Sequence, residues 1–239
     1  MIGTILNAAG ILLGGILGLT LSRQLSSVQQ VALKGLLGVF TVYFGLKLTW
    51  MSLGGNFGMV AKQLAIVLLA LILGRITGRV MRVQKLLNRL GQHAKANIAH
   101  QTAASSHRLA EGLTTCALLF CSAPMALLGA ISDGLQDYWQ ILGLKAIIDG
   151  LAMMSFVIMF GWGAMLSVLP VLAYQGTISL CSRLLAPFLS EHQLLDSVNA
   201  TAGLLVFCVG LIILELKRIE LGDYLPSLAF APLITSLWR

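Results

Sequence analysis

The residues best suited to chemistry lie in one short run, KAIIDG at positions 145–150. Lys145 and Asp149 are i, i+4 and share a face if the run is helical. The stretch around them is apolar. A lone carboxylate in hydrocarbon is costly, so ionisable residues at such depth are rare, usually paired, and often mark ion, proton or substrate paths. Two readings stay open. Asp149 binds a cation or carries a proton beside Lys145, or the two form a structural pair near the outer interface with Lys145 snorkelling outward. Gly150 lets a partner helix approach closely.

Neutral polar groups stand at comparable depth elsewhere. Asn7 belongs to a stripe with Gly3, Gly10, Gly14 and Gly18; small residues at this spacing let helix backbones meet, since lipid offers no hydrophobic drive for pairing. Asn7 either hydrogen-bonds across that seam or lines a solute path. Tyr174, Gln175 and Gly176 follow Pro170, and Asn199 and Thr201 open a later apolar run. Pro124 interrupts another. Proline leaves a carbonyl free, and irregular backbone in a bilayer is tolerated where it lines a cavity or is buried in protein. Glu111 reads as a helix-start residue, where negative charge is favoured.

The elements that must position these groups follow from composition. Of 239 residues, 57% are hydrophobic and 10% charged, with mean hydropathy +0.89, far below the roughly 25% charge of a soluble domain. A soluble enzyme is excluded, and an all-α, polytopic membrane protein forming a single integral membrane domain over 1–239 is expected. About seven stretches meet the ~20-residue requirement for a crossing: 2–21, 33–53, 58–80, 110–131, 141–166, 168–186 and 198–216. The apolar tail, 225–238, is too short to span and suits a re-entrant or interfacial piece. The first stretch lacks a basic n-region or obvious cleavage site, so it reads as retained and not as a signal peptide.

Lys and Arg fix the orientation. Arg75, Arg79, Arg82, Lys85, Arg89, Lys95 and Arg108 surround the 82–108 connection with no acid among them, which makes it cytoplasmic. Alternation then puts Arg23, Lys217 and Arg218 inside, and Asp133, Asp137, Glu191, Asp196 and the N-terminus outside. The net charge of +7 therefore reflects topology and not nucleic-acid binding. Within the connection, Leu86, Leu87 and Leu90 recur at helical spacing among Arg82, Lys85 and Arg89, as in a helix lying on the anionic inner leaflet. His93, His100 and His107 are two helical turns apart, roughly 10 Å of rise, too far to share one metal ion.

GVFTVYFGL at 38–46 and GLLVFCVGL at 203–211 suggest an inverted repeat. The cysteines (Cys116, Cys121, Cys181, Cys208) show neither CxxC nor ligand spacing. No GxxxxGK[ST], HExxH or GxSxG occurs, which argues against ATP-driven transport and hydrolase chemistry. No cofactor or metal is expected.

GTILNAAGILLGGILG from Gly3, KAIIDG from Lys145 and PVLAYQG from Pro170, supported by AEG at 110–112, the 203–211 stretch, KRI at 217–219 and LP at 225–226, resemble a bacterial family of uncharacterised membrane proteins, domain of unknown function 554. The resemblance runs through nearly the whole chain in order. Where the family pattern has Gly-Asn before the last Leu-Pro, this chain has Gly222 and Asp223. The resemblance implies a multi-span inner-membrane protein and carries no substrate.

The function these features favour is a secondary transporter or pore for a small polar solute or ion. Its site lies between the first, fifth and sixth spans, with Asn7, Lys145, Asp149, Tyr174 and Gln175, joined by Asn199. Partners are the lipid bilayer and the solute or ion, with no nucleic acid; the glycine stripe would serve a homo-oligomer interface as well as internal packing. The alternative is a non-transporting structural or regulatory protein that binds a partner through the basic cytoplasmic loop. A membrane enzyme built on Asp149 and Glu111 is disfavoured, because the orientation separates them to opposite faces.

Overall fold

The computed structural model describes residues 1–21, 26–99 and 105–238. Among them it is helical without strands: α1 (Ile2–Leu21), α2 (Ser27–Met51), α3 (Phe57–Met81), α4 (Val83–Ala99), α5 (Ser105–Ser122), α6 (Pro124–Gln136), α7 (Gln140–Phe160), α8 (Val168–Glu191), α9 (Leu195–Ile213) and α10 (Ser227–Leu237), with 3-10 segments at Gly161–Ser167 and Leu221–Tyr224. Arg23 and His100 lie outside the described residues, as do the side chains of Lys95, His107 and Arg108. Among the described residues, five helical stretches are long and apolar enough to cross a membrane, or six if the bent pair α5–α6 forms one crossing. One of the five is the whole of 140–191, and the expected number of about seven treats that stretch as two.

The chain divides into two compact units, residues 1–33 with 87–181, and 34–86 with 182–239. In the first, α1 turns its small and polar residues inward, with Gly3, Thr4, Asn7, Gly14, Gly15 and Gly18 all buried. Large residues such as Leu13 and Ile16 face outward. This inversion of the soluble pattern suits a lipid surround, where close backbone contact replaces hydrophobic burial. α1 and α7 run parallel at close range: a Cβ on Gly14 would lie 2.0 Å from the Gly150 carbonyl oxygen, and one on Gly10 2.5 Å from that of Ala146. No side chain fits at either position.

Irregularities in this unit fall at Pro124, as the sequence suggests, and at Gly161, which it does not. The 110–131 stretch is two helices bent by 63° at Pro124, because proline at the first position of α6 cannot continue α5. Pro170 breaks nothing; it sits in the first turn of α8, where its missing amide hydrogen has no intrahelical role. The break lies upstream at Gly161, whose φ of +73° ends α7 and opens a seven-residue 3-10 segment, long for that geometry. The chain reverses there. Met165 meets Gly15, Gln175 bonds Asn7, and Ser179 bonds the Asp133 carboxylate that also holds Gly3 and Thr4. α8 therefore runs back along α1.

In the second unit α2 and α9 pack antiparallel. A Cβ on Gly45 would fall 2.4 Å from the Phe207 amide nitrogen, and one on Gly203 2.7 Å from the Gly45 carbonyl oxygen. The two stretches read as a repeat are thus partners in one seam, and their matching glycines answer each other. The tail forms α10, about 16 Å long at 1.5 Å per residue, packed on α3 and α9. Its lead-in presses on α3 so closely that a Cβ on Gly78 would meet the Asp223 carbonyl oxygen at 2.0 Å. Asp223 Oδ1 accepts the Gln84 backbone N–H at 3.0 Å, while Gln84 Oε1 accepts that of Gly222 at 2.7 Å. The acidic residue that departs from the family pattern therefore caps α4, whose exposed side chains include Lys85 and Arg89, with the exposed Arg82 just ahead of it.

Candidate functional site

Lys145 and Asp149 project from α7 and are 2% and 4% exposed. The Lys145 ammonium donates to Asp149 Oδ2, as the i, i+4 spacing predicts. The snorkelling alternative is wrong: Lys145 Nζ stays inside, 5.6 Å from the centre of the Phe120 ring of α5. Helical side chains lean toward the N-terminus, and here that direction is filled by protein. Separating two such buried charges would leave each in a medium that stabilises neither.

The glycine seam brings α1 against this pair. Asn7, fully buried, donates from Nδ2 to Gln175 Oε1 of α8 at 3.1 Å, and its side chain lies near the Asp149 carboxylate. Tyr174, half-buried beside Gln175, and Cys121 of α5 stand within electrostatic reach of each other; Cys121 also feels Lys145 and Asp149. Five of the residues read from sequence, Asn7, Lys145, Asp149, Tyr174 and Gln175, thus belong to one unit, on three helices that the chain reversal at Gly161 sets side by side. Asn199 lies on α9 in the second unit, fully buried, with neither side-chain atom bonded among the described residues.

The cluster is electrically balanced but incompletely bonded. Asn7 Oδ1 and Gln175 Nε2 are buried without partners among the described residues, an acceptor and a donor side by side with a carboxylate and an ammonium. Unpaired buried polar atoms are costly and rare. Such a set can hold a small polar molecule or an ion, or pass a proton between Asp149 and Lys145 as partners exchange. No group of three or more His, Cys, Asp or Glu able to hold a metal occurs among the described residues.

Sequence reasoning missed Asp133, assigned to an outer connection. It lies within α6, fully buried. Its carboxylate accepts the Gly3 and Thr4 N–H groups at 3.2 and 3.3 Å and the Ser179 hydroxyl at 3.4 Å, with the Met1 amino nitrogen 3.2 Å away. A carboxylate at the positive end of α1 satisfies donors that the helix leaves open and pins α1 to α6 and α8. The available signal was the apolar run on both sides of Asp133. Glu111 also differs from expectation. α5 starts at Ser105, so Glu111 falls in its second turn and does not cap it.

A sequence-family profile described as "Protein of unknown function (DUF554)" matches residues 2–236. "Uncharacterized protein YqgA" of Escherichia coli K12 is 26% identical over 239 residues, covering 100% of this chain and 97% of that protein. "Uncharacterized membrane protein YdfK" of Bacillus subtilis 168 is 26% identical over 235 residues, covering 98% of this chain and 95% of that protein. No solved structure matches.

Proposed function

This chain belongs to the DUF554 family, and we propose that it is a secondary transporter or pore for a small polar solute or ion, with no enzymatic activity. One observation carries the reading: the buried Lys145–Asp149 pair has Asn7 beside it, and Asn7 and its partner Gln175 each keep one unbonded polar atom. A purely structural pair needs its hydrogen bonds filled, whereas a binding site keeps some open for its ligand. Counting α7 and α8 as separate crossings, on account of the reversal at Gly161, and α5–α6 as one gives seven. The basic surroundings of α4 then orient the chain in a bacterial inner membrane with the N-terminus outside. Asp149 binds the cation or carries the proton, Asn7 and Gln175 orient the solute, and the bent α5–α6 pair and the 3-10 segment supply the movable backbone.

The test is a thermal-shift panel on detergent-purified protein, covering small cations, anions, amino acids and carboxylates at two pH values, with wild type and Asp149→Asn side by side. A ligand that binds only the folded state raises Tm with RT ln(1 + [L]/Kd). A saturable shift absent from Asp149→Asn is expected; equal shifts in both proteins reject the site. The competing reading, a regulatory protein that docks a partner, draws on the exposed basic side chains of α4. It predicts that replacing Arg82, Lys85 and Arg89 abolishes partner recovery by crosslinking while Asp149→Asn leaves it intact.

A further inference from the structure

The end of α3 carries three arginines on one line. Arg75, Arg79 and Arg82 stand at i, i+4 and i+7, a spacing that keeps their backbone positions within about 60° of one another around the helix axis. All three are exposed. Leu68 and Ile72 continue the same line upstream and are exposed as well. α3 has 25 residues, about 37 Å at 1.5 Å per residue, against the ~30 Å core of a bilayer. Its last turns therefore rise into the headgroup layer. The exposed stripe changes from apolar to cationic where a lipid changes from acyl chain to phosphate.

The lead-in to α10 walls one side of this stripe. A Cβ on Gly74 would lie 2.5 Å from the Ser227 backbone nitrogen, and one on Gly78 2.0 Å from the Asp223 carbonyl oxygen. That contact sets the Tyr224 ring under Arg75, whose guanidinium carbon is 5.5 Å from the ring centre. Stacking orients a guanidinium without using its N–H donors. Glu220 stands 4.0 Å from Arg79 Nη2, beyond hydrogen-bond reach. Arg82 is placed by its backbone. Its N–H bonds the Arg79 and Gly78 carbonyls, and the reciprocal Asp223–Gln84 bonds fix the turn that follows. Its φ of +56° is a helix-end conformation that glycine adopts more readily, so the arginine is suited to this position through its side chain and not its backbone.

Three guanidiniums and the Glu220 carboxylate leave two positive charges along the stripe; Asp223 is buried and turned to Gln84, and Lys85 follows on α4. Guanidinium forks bind phosphate oxygens two at a time, and basic clusters at the membrane surface take anionic headgroups. We propose that Arg75, Arg79 and Arg82 bind the headgroup of a phospholipid carrying two phosphodiesters, of the cardiolipin type, with its acyl chains along Leu68 and Ile72. The site lies wholly within the second unit and does not depend on the solute reading.

The experiment is native mass spectrometry of the full-length protein in detergent, titrated with cardiolipin, phosphatidylglycerol or phosphatidylethanolamine. Wild type is compared with Arg79→Gln, Arg82→Gly and Arg89→Gln, the last removing an equal charge from α4. Arg82→Gly suits the backbone, and the Tm of each variant without lipid reports its folding. Wild type should bind cardiolipin in preference to both other lipids. The first cardiolipin should bind about tenfold more weakly to Arg79→Gln and Arg82→Gly and as in wild type to Arg89→Gln. An equal loss in Arg89→Gln would reduce the effect to general surface charge and overturn the site. Equal binding of cardiolipin and either other lipid by wild type would overturn it too. A last arm adds inorganic pyrophosphate, set against chloride at equal ionic strength. Cardiolipin should stay bound in both; its displacement by pyrophosphate alone would make a soluble phosphate the occupant and overturn the lipid assignment.

Discussion

The two units use the same packing device and put it to different ends. In the first, α1 and α7 meet through Gly10, Gly14 and Gly150; in the second, α2 and α9 meet through Gly45, Gly203 and Gly210, with backbone just as close. The first seam carries a buried ion pair and two carboxamides beside it. The second carries Thr49, which bonds the Gly45 and Ala200 carbonyls, and no buried ion pair among the described residues; its Lys34–Glu215 pair lies exposed at the end of the helices. Close helix approach is therefore a general means of assembly in this protein. Among the described residues, a buried ion pair is set against the first seam alone.

The largest effects should come from breaking either seam. Gly14→Leu and Gly45→Leu both force a side chain into opposing backbone, and each should cost about 3 kcal/mol or more, seen as loss of the monodisperse peak in size-exclusion chromatography. If only one of them unfolds the protein, the two seams are not equivalent. Next comes the ion pair. Asp149→Leu alone should cost about 3–5 kcal/mol by stranding Lys145, and adding Lys145→Met should recover most of it. Thermal melts of the single and double variants would show this coupling. A purely additive outcome would remove the pair from the account.

The carboxamides sharpen the contrast at a smaller scale. Gln175→Leu removes the partner of Asn7 and should lower stability by about 1–3 kcal/mol. Asn199→Leu removes an amide that bonds nothing among the described residues and should leave stability unchanged or raised by a similar amount, as melts of the two variants would report. The smallest effect is that of Lys34→Ala. Hydrogen bonding from Lys34 holds the exposed Glu215 carboxyl below its ordinary value of 4.5. The contribution is thus present above that value and lost as pH falls through the lowered one. Wild type and Lys34→Ala should differ slightly at pH 7, converge under acid, and converge also in high salt.

Much of this was legible in the residues. Helical spacing placed Lys145 beside Asp149, the glycine stripe announced the α1 seam, and apolar length gave an all-helical membrane protein. The amphipathic leucines and basic residues after residue 82 gave α4. What could not be read was tertiary. Nothing local says that Lys145 points inward, because that depends on Phe120 and α1 filling the space around it. Pro170 drew attention away from Gly161, since a proline in the first turn of a helix is silent while a glycine at positive φ reverses the chain. Asp133 looked like a loop residue because its ligands, Gly3, Thr4 and Ser179, come from distant sequence. The matched stretches at 38–46 and 203–211 lie on two antiparallel helices that touch through their glycines, a contact the residues alone did not announce.

The central claim is that the polar cluster in the first unit is where a solute meets the protein. Its most direct test is stopped-flow light scattering of proteoliposomes challenged with osmotic gradients of small neutral, zwitterionic and ionic solutes. Wild type, Asp149→Asn and Asn199→Leu are compared after matching their reconstituted amounts and confirming their folding. The account predicts at least one solute that crosses faster than in protein-free vesicles, a rate that falls to the protein-free level in Asp149→Asn, and a rate that persists in Asn199→Leu. A solute whose flux is as fast in Asp149→Asn as in wild type, or a panel in which no solute exceeds the protein-free rate, would contradict it.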